Sequence, residues 1–218
     1  HRVRTWTRNA RRTSAAGIFA CDYLLVPLHA EAKRHWSLAV VSDPWAATSA
    51  ASEVSKGRSD CHRRGAGCCR ISFLNSLGHD EAEEAHVLSF MRGYLEREWS
   101  ECAGPTAKPL LPERVVAGPP CRMPLQRNDS DCGVYVLSFV FELLRRPVLL
   151  ERLSQGRGLK AADFKDLSAT LSPRRRWRRA GEALRQAWAA AAAAPGAPRV
   201  GGGSGSWLRA LLLDGEAA

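Results

Sequence analysis

The feature that most constrains this chain is the run Cys132-Gly133-Val134-Tyr135-Val136-Leu137-Ser138-Phe139-Val140-Phe141-Glu142-Leu143-Leu144, in which Glu142 is the only charge. It is too long for an ordinary strand and too apolar for a surface helix, so it reads as a helix buried against another layer. The turn-forming segment Arg127-Asn128-Asp129-Ser130-Asp131 precedes it and puts Cys132 at the helix N-terminus, with Ser130 and Asp131 placed to cap it.

The covering layer lies upstream. Asp22 to Leu28, His35 to Val41 and Arg70 to Asn75 are short runs rich in apolar and β-branched residues, the pattern of neighbouring buried strands. Residues 42–69, between the second and third runs, are rich in Ser, Ala, Gly and Arg without an apolar period, and are expected to form a surface insertion that carries no core. After Gly78, Val87, Leu88, Met91, Tyr94, Leu95 and Trp99 recur at helical spacing, and Asp80, Glu81, Glu83 and Glu84 suit the positive end of that helix. Prolines from Pro105 to Pro120 then break regular structure. A shorter amphipathic stretch near Glu182 to Trp188 is a candidate closing helix. Residues 189–218, with an alanine run and Gly201-Gly202-Gly203-Ser204-Gly205, read as a low-complexity tail. The expectation is one α+β domain over residues 1–188, its buried helix packed on a mixed or antiparallel sheet.

Composition narrows the function classes. Hydrophobic residues at 45% and charged residues at 25% leave room for a core and argue against a chain disordered throughout. No apolar run has the length of a membrane-crossing helix, so no membrane partner is expected. The start His1-Arg2-Val3-Arg4 has neither a methionine nor a signal-like stretch, and the chain is expected to be N-terminally truncated. Seven cysteines without scaffold spacing suit reduced thiols in the cytosol or nucleus. The net charge of +10 gathers in Arg2, Arg4, Arg8, Arg11 and Arg12 and in Arg174 to Arg179, runs that attract anions. A solvated face or a targeting signal explains them, so the expected location is nuclear or nucleo-cytoplasmic. No RNA or zinc-finger motif accompanies them, and no specific nucleic-acid partner is expected. Cys61-His62 and Cys68-Cys69 lack zinc-ligand spacing and read as loop residues, without a metal.

The chemistry gathers around the helix start. A thiol there lies near unsatisfied backbone N–H groups, which favour a thiolate, although many buried cysteines are only core. Gln126 precedes Cys132 across a turn, where its amide could stabilise a developing oxyanion. A cysteine nucleophile needs a base, and His35, at the start of a strand and followed by the shielding Trp36, is the best placed. The competitors His29, His62, His79 and His86 read as solvated or structural. A third group should orient the imidazole from the end of the next strand, and that position is Asn75. Asp43 and Asp80 are alternatives that lie off that strand end.

Taken together, Trp6-Thr7-Arg8, Tyr23 to Leu28, His35 to Val41, Leu74-Asn75-Ser76-Leu77 and Pro124 to Tyr135 resemble the ubiquitin-like protease (Ulp, sentrin/SUMO-specific) cysteine peptidases, nearest the branch that edits SUMO chains. The resemblance runs from about Val3 to Leu144 and more faintly through Trp188. It implies a papain-like fold, with Cys132 as nucleophile, His35 as base, Gln126 in the oxyanion hole and Trp36 lining a narrow slot for a Gly-Gly tail. It also implies a SUMO or SUMO-like modifier and its conjugates as partners, a monomer, and no metal or organic cofactor. Two departures stand out. The family pattern has Asp where this chain has Asn75, and the family's N-terminal helical segment is missing. Reduced activity, a modifier-binding pseudoprotease, a peptidase for another ubiquitin-like protein or other chemistry on the same scaffold, such as acetyl transfer, therefore stay open. Asn75→Asp is expected to raise the reactivity of Cys132.

Overall fold

The expected strands form, in the expected order. In the computed structural model, which describes residues 16–48, 67–103 and 108–164, β1 (Tyr23–Ala30) and β2 (His35–Ser42) make an antiparallel hairpin. Its turn is closed by Arg34 in the left-handed region at φ 47°, so β2 begins at His35. β3 (Cys69–Leu74) pairs antiparallel with β2, in the register Leu38↔Leu74 to Ser42↔Arg70. β4 (Val115–Ala117) adds a parallel edge to β3. The sheet is thus mixed, ordered β1-β2-β3-β4.

Helices cover both faces, which is why β2 reads as an almost unbroken apolar run. α1 (Glu81–Ala103) packs Val87, Met91, Leu95 and Trp99 with Ala39, Val41, Ile71 and Phe73. On the other face, α2 (Cys132–Arg145) and α3 (Pro147–Ser154) bring Tyr135, Val136, Phe139, Leu143, Leu149, Leu150 and Leu153 against Leu38, Val40 and Leu74. Side chains of a strand alternate between its faces, so even-numbered residues of β2 meet α2 and odd-numbered ones meet α1. The buried helix of an α+β domain, expected on a mixed sheet, is α2.

Three expectations need correction. Residues 42–69 carry core at both ends. Ser42 completes β2, a 3-10 turn at Pro44–Ala47 buries Pro44 and Ala47, and Cys69 opens β3 fully buried. Apolar content too sparse to show a period still packs when strand ends hold it in place. The proline-rich stretch also contains β4. Asp131 stands at the N-cap of α2 but makes no side-chain cap bond, and its carboxylate accepts from Asn128 Nδ2 at 2.9 Å instead. Arg174 to Arg179, the candidate helix at 182–188 and the tail at 189–218 lie outside the described residues.

Candidate active site

His35 and Asn75 meet because of the β2–β3 register. Pairing of Leu38 with Leu74 carries the chain just past β3 toward the first residues of β2, and by alternation both side chains fall on the α1 face. His35 Nε2 lies 2.8 Å from Asn75 Oδ1, and both residues are buried. The neighbours fix which atom is which. Asn75 Oδ1 also accepts the Leu77 N–H at 2.9 Å, and Asn75 Nδ2 donates to Glu83 Oε2 at 3.4 Å. An oxygen can only accept, so His35 Nε2 carries the proton and the lone pair of the neutral ring sits on Nδ1. A ring held in that tautomer can take a proton at Nδ1.

Trp36 points to the other face. It stacks on its cross-strand partner His29, with ring centroids 4.6 Å apart and planes 32° apart, so His29 acts as a support for the indole. At 41% exposure Trp36 is open to solvent, and a Cβ built on Gly133 would lie 3.8 Å from its Cδ1. The indole therefore lies over the start of α2, beside Cys132. Cys132 is buried, yet it belongs to neither apolar cluster, unlike Cys69 and Cys121.

Gln126 is held on the loop leading to α2. Its N–H donates to Ser76 O at 2.9 Å, the Ser76 hydroxyl donates to its Oε1 at 2.6 Å, and its Nε2 donates to Asn128 O at 2.6 Å. The two chain segments that follow Asn75 and precede Cys132 are joined by these bonds. Tyr135 Oη donates to Leu125 O at 3.1 Å, which ties α2 to the same loop. Asn128 Oδ1 accepts from the N–H groups of Ser130 and Asp131 at 3.1 and 2.9 Å, a local turn that sets the entry of the helix.

The alternatives for orienting the ring sit elsewhere. Asp80 Oδ1 accepts the N–H groups of Ala82 and Glu83 at 3.0 and 3.1 Å, so its carboxylate caps α1, and the Glu83 N–H bond holds its pKa below the ordinary value. Asp43 follows the far end of β2. His79 lies 3.4 Å from Glu84, and His62 is outside the described residues. No cluster of three or more His, Cys, Asp or Glu side chains able to hold a metal occurs among the described residues.

Comparison with known proteins supplies the family. The model of the Ulp1 protease family, C-terminal catalytic domain, matches residues 1–174. The chain belongs to the Ulp1 protease family. It is 29% identical over 153 residues to Ubiquitin-like protease 2 of Caenorhabditis elegans, covering 67% of this chain and 16% of that protein. It is 26% identical over 185 residues to human Sentrin-specific protease 7, covering 68% and 17%. A shorter match to Sentrin-specific protease 6 of Mus musculus is 40% identical over 65 residues, 30% of this chain and 6% of that protein. This Ulp1-family chain thus spans under a fifth of the length of these relatives.

Sequence reasoning missed Glu83, Ser76 and Asn128. Each is hydrogen-bonded to a candidate residue, Asn75 or Gln126, and Glu83 is already accounted for as an acid near a helix start. A signal for Ser76 and Asn128 exists only in their closeness to Asn75 and Gln126.

Proposed function

We propose that this Ulp1-family domain is a cysteine peptidase that cleaves after the C-terminal Gly-Gly of a SUMO-like modifier, releasing it from the lysines of its conjugates. Cys132 is the nucleophile, His35 the base, Asn75 the group that orients it and Gln126 the oxyanion donor. His35 takes the thiol proton at Nδ1, and the thiolate attacks the isopeptide carbonyl. One N–H of the Gln126 amide meets the oxyanion, the imidazolium protonates the leaving lysine amine, and a thioester remains. Water then cleaves the thioester, giving the free modifier carboxylate and restoring the thiol. Trp36, lying over Gly133, lines a slot that suits a tail without side chains.

The observation that supports this reading best is the buried His35–Asn75 bond, which leaves Nδ1 as the basic atom of a ring one residue before Trp36, whose indole covers the start of the Cys132 helix. A modifier ending in an electrophile tests it. Covalent capture by the wild-type chain, absent in Cys132→Ala while modifier binding is retained, is the expected result. Capture that persists in Cys132→Ala would overturn the nucleophile assignment. The amide at Asn75 favours a second reading, a SUMO-binding pseudoprotease, which binding without capture would establish. A nuclear or nucleo-cytoplasmic address in Arg174 to Arg179 belongs to the same proposal, checked by whether those residues carry a reporter into the nucleus.

A further inference from the structure

Asn75 is one link of a longer chain of polar contacts. Its Oδ1 accepts from His35, its Nδ2 donates to Glu83 Oε2 at 3.4 Å, and the same carboxylate oxygen lies 3.3 Å from Lys33 Nζ. The Glu83 side chain is 13% exposed, whereas Lys33 is 55% exposed. The lysine is therefore solvated and the ion pair is screened by water, whereas the amide contact of the same oxygen is on the buried side of the carboxylate. We propose that Glu83 is a positioning residue for His35, acting through Asn75. A carboxylate against Nδ2 draws the amide hydrogens outward and leaves more negative charge on Oδ1, where it stabilises imidazolium. It also fixes the amide against flipping, since the flipped form would set Oδ1 against Glu83 and an N–H₂ group against the Leu77 N–H, a donor that cannot reverse. The inference deepens the peptidase reading and rests on His35 being its base.

The same geometry changes what a carboxylate at position 75 does. Asn75→Asp replaces Nδ2 with an oxygen facing Glu83, and two like charges at that distance cannot both stay ionised in place. The gain expected from Asn75→Asp is thereby withheld until Glu83 is neutralised. Glu83 has opposite effects in the two backgrounds.

The ionisable groups on the segments around His35 are His29 on β1, Glu31, Lys33 and Arg34 before β2, His79, Asp80, Glu81, Glu83 and Glu84 at the start of α1, and Arg127, Asp129, Asp131 and Cys132 at the start of α2. Of these, Glu83 is the one joined to the ring through Asn75. The test is a cycle of Glu83→Gln, Asn75→Asp and the double variant, each read by capture of the modifier probe. Each is also read by the pH midpoint of the His35 ring signals in NMR, which requires no substrate. Glu83→Gln should slow capture about threefold and move the His35 midpoint down, because one negative charge is removed from behind the amide that faces the ring. In a chain that already carries Asn75→Asp, Glu83→Gln should instead speed capture. An effect of the same sign in both backgrounds, or an unmoved His35 midpoint, would overturn the proposal. Glu83→Ala, which removes the acceptor as well as the charge, should slow capture more than Glu83→Gln. Equal losses would also count against it. If the wild-type chain never captures the probe yet the His35 midpoint moves with Glu83, the peptidase reading fails and the Glu83–His35 coupling stands.

Discussion

The two ends of the β2–β3 pair solve the same problem differently. At the His35 and Asn75 end, buried polar groups are joined in series from ring to amide to carboxylate, with a solvated lysine beyond. At the Ser42 and Arg70 end, Ser42 Oγ and Ser72 Oγ are buried among packed strands and helices and find no hydrogen-bond partner among the described residues. Cys69 there is pushed up to about 12, chiefly by burial, with the nearby Asp43 charge adding to it. A buried polar group without a partner costs about 1–3 kcal/mol. One end therefore holds its polar atoms in a defined geometry, and the other tolerates them. Conversion of polar to apolar side chains should accordingly harm function at the first end and help stability at the second.

The largest test exploits the thiol at the second end. Cys69 ionises near 12 in the folded chain and near its ordinary 9.0 when unfolded. The folded state then holds more protons than the unfolded one between those values, so its contribution to stability is complete below pH 9 and is lost as pH rises toward 12. The loss is on the order of 4 kcal/mol, at about 1.4 kcal/mol per pH unit. Chemical denaturation at a series of alkaline pH values should show this decline, with a shallower slope in Cys69→Ala. An identical slope in the two chains would show that Cys69 ionises no differently in the folded state. At the first end, Asn75→Ala removes the acceptor that fixes the His35 tautomer. Capture of the modifier probe should fall about a hundredfold, the usual scale of an oriented acid–base group. A fall of less than about threefold, worth under roughly 0.7 kcal/mol, would mean that the ring needs no such support.

The contrast also explains what the sequence makes legible. The apolar density of α2 and the turn before it place Cys132 at the helix start, and the run that follows His35 places it at the strand start. Both are consequences of strong local patterns. β4 escapes notice because three residues leave no period, and its pairing to β3 is parallel and distant in sequence. α3 carries a readable signal, Pro147 at its first turn followed by Leu149, Leu150 and Leu153 on one side, but its shortness and its place directly after α2 hide it. The chain of contacts behind Asn75 is out of reach for another reason. Glu83 and Lys33 come together only when the hairpin turn and the start of α1 are side by side, and solvated acids and lysines are common enough that neither stands out.

The smallest effect expected is at Ser72. Its hydroxyl is on the α2 face of β3, opposite Val40, and the chain crosses it closely at Gly118, where a Cβ would strike the Ser72 oxygen and lie 3.1 Å from Ile71 O. Gly118 N donates to Ile71 O at 2.6 Å, so the crossing strand cannot move away to let water reach the hydroxyl. Ser72→Ala removes the stranded oxygen and keeps the methylene that packs. It should stabilise the domain by about 1 kcal/mol in chemical denaturation, the lower end of the penalty for an unmade buried bond, and leave probe capture unchanged. A loss of stability would mean that the hydroxyl makes a bond worth more than its burial costs. The two ends of the sheet would then differ in which partners they use, and no longer in whether they have them.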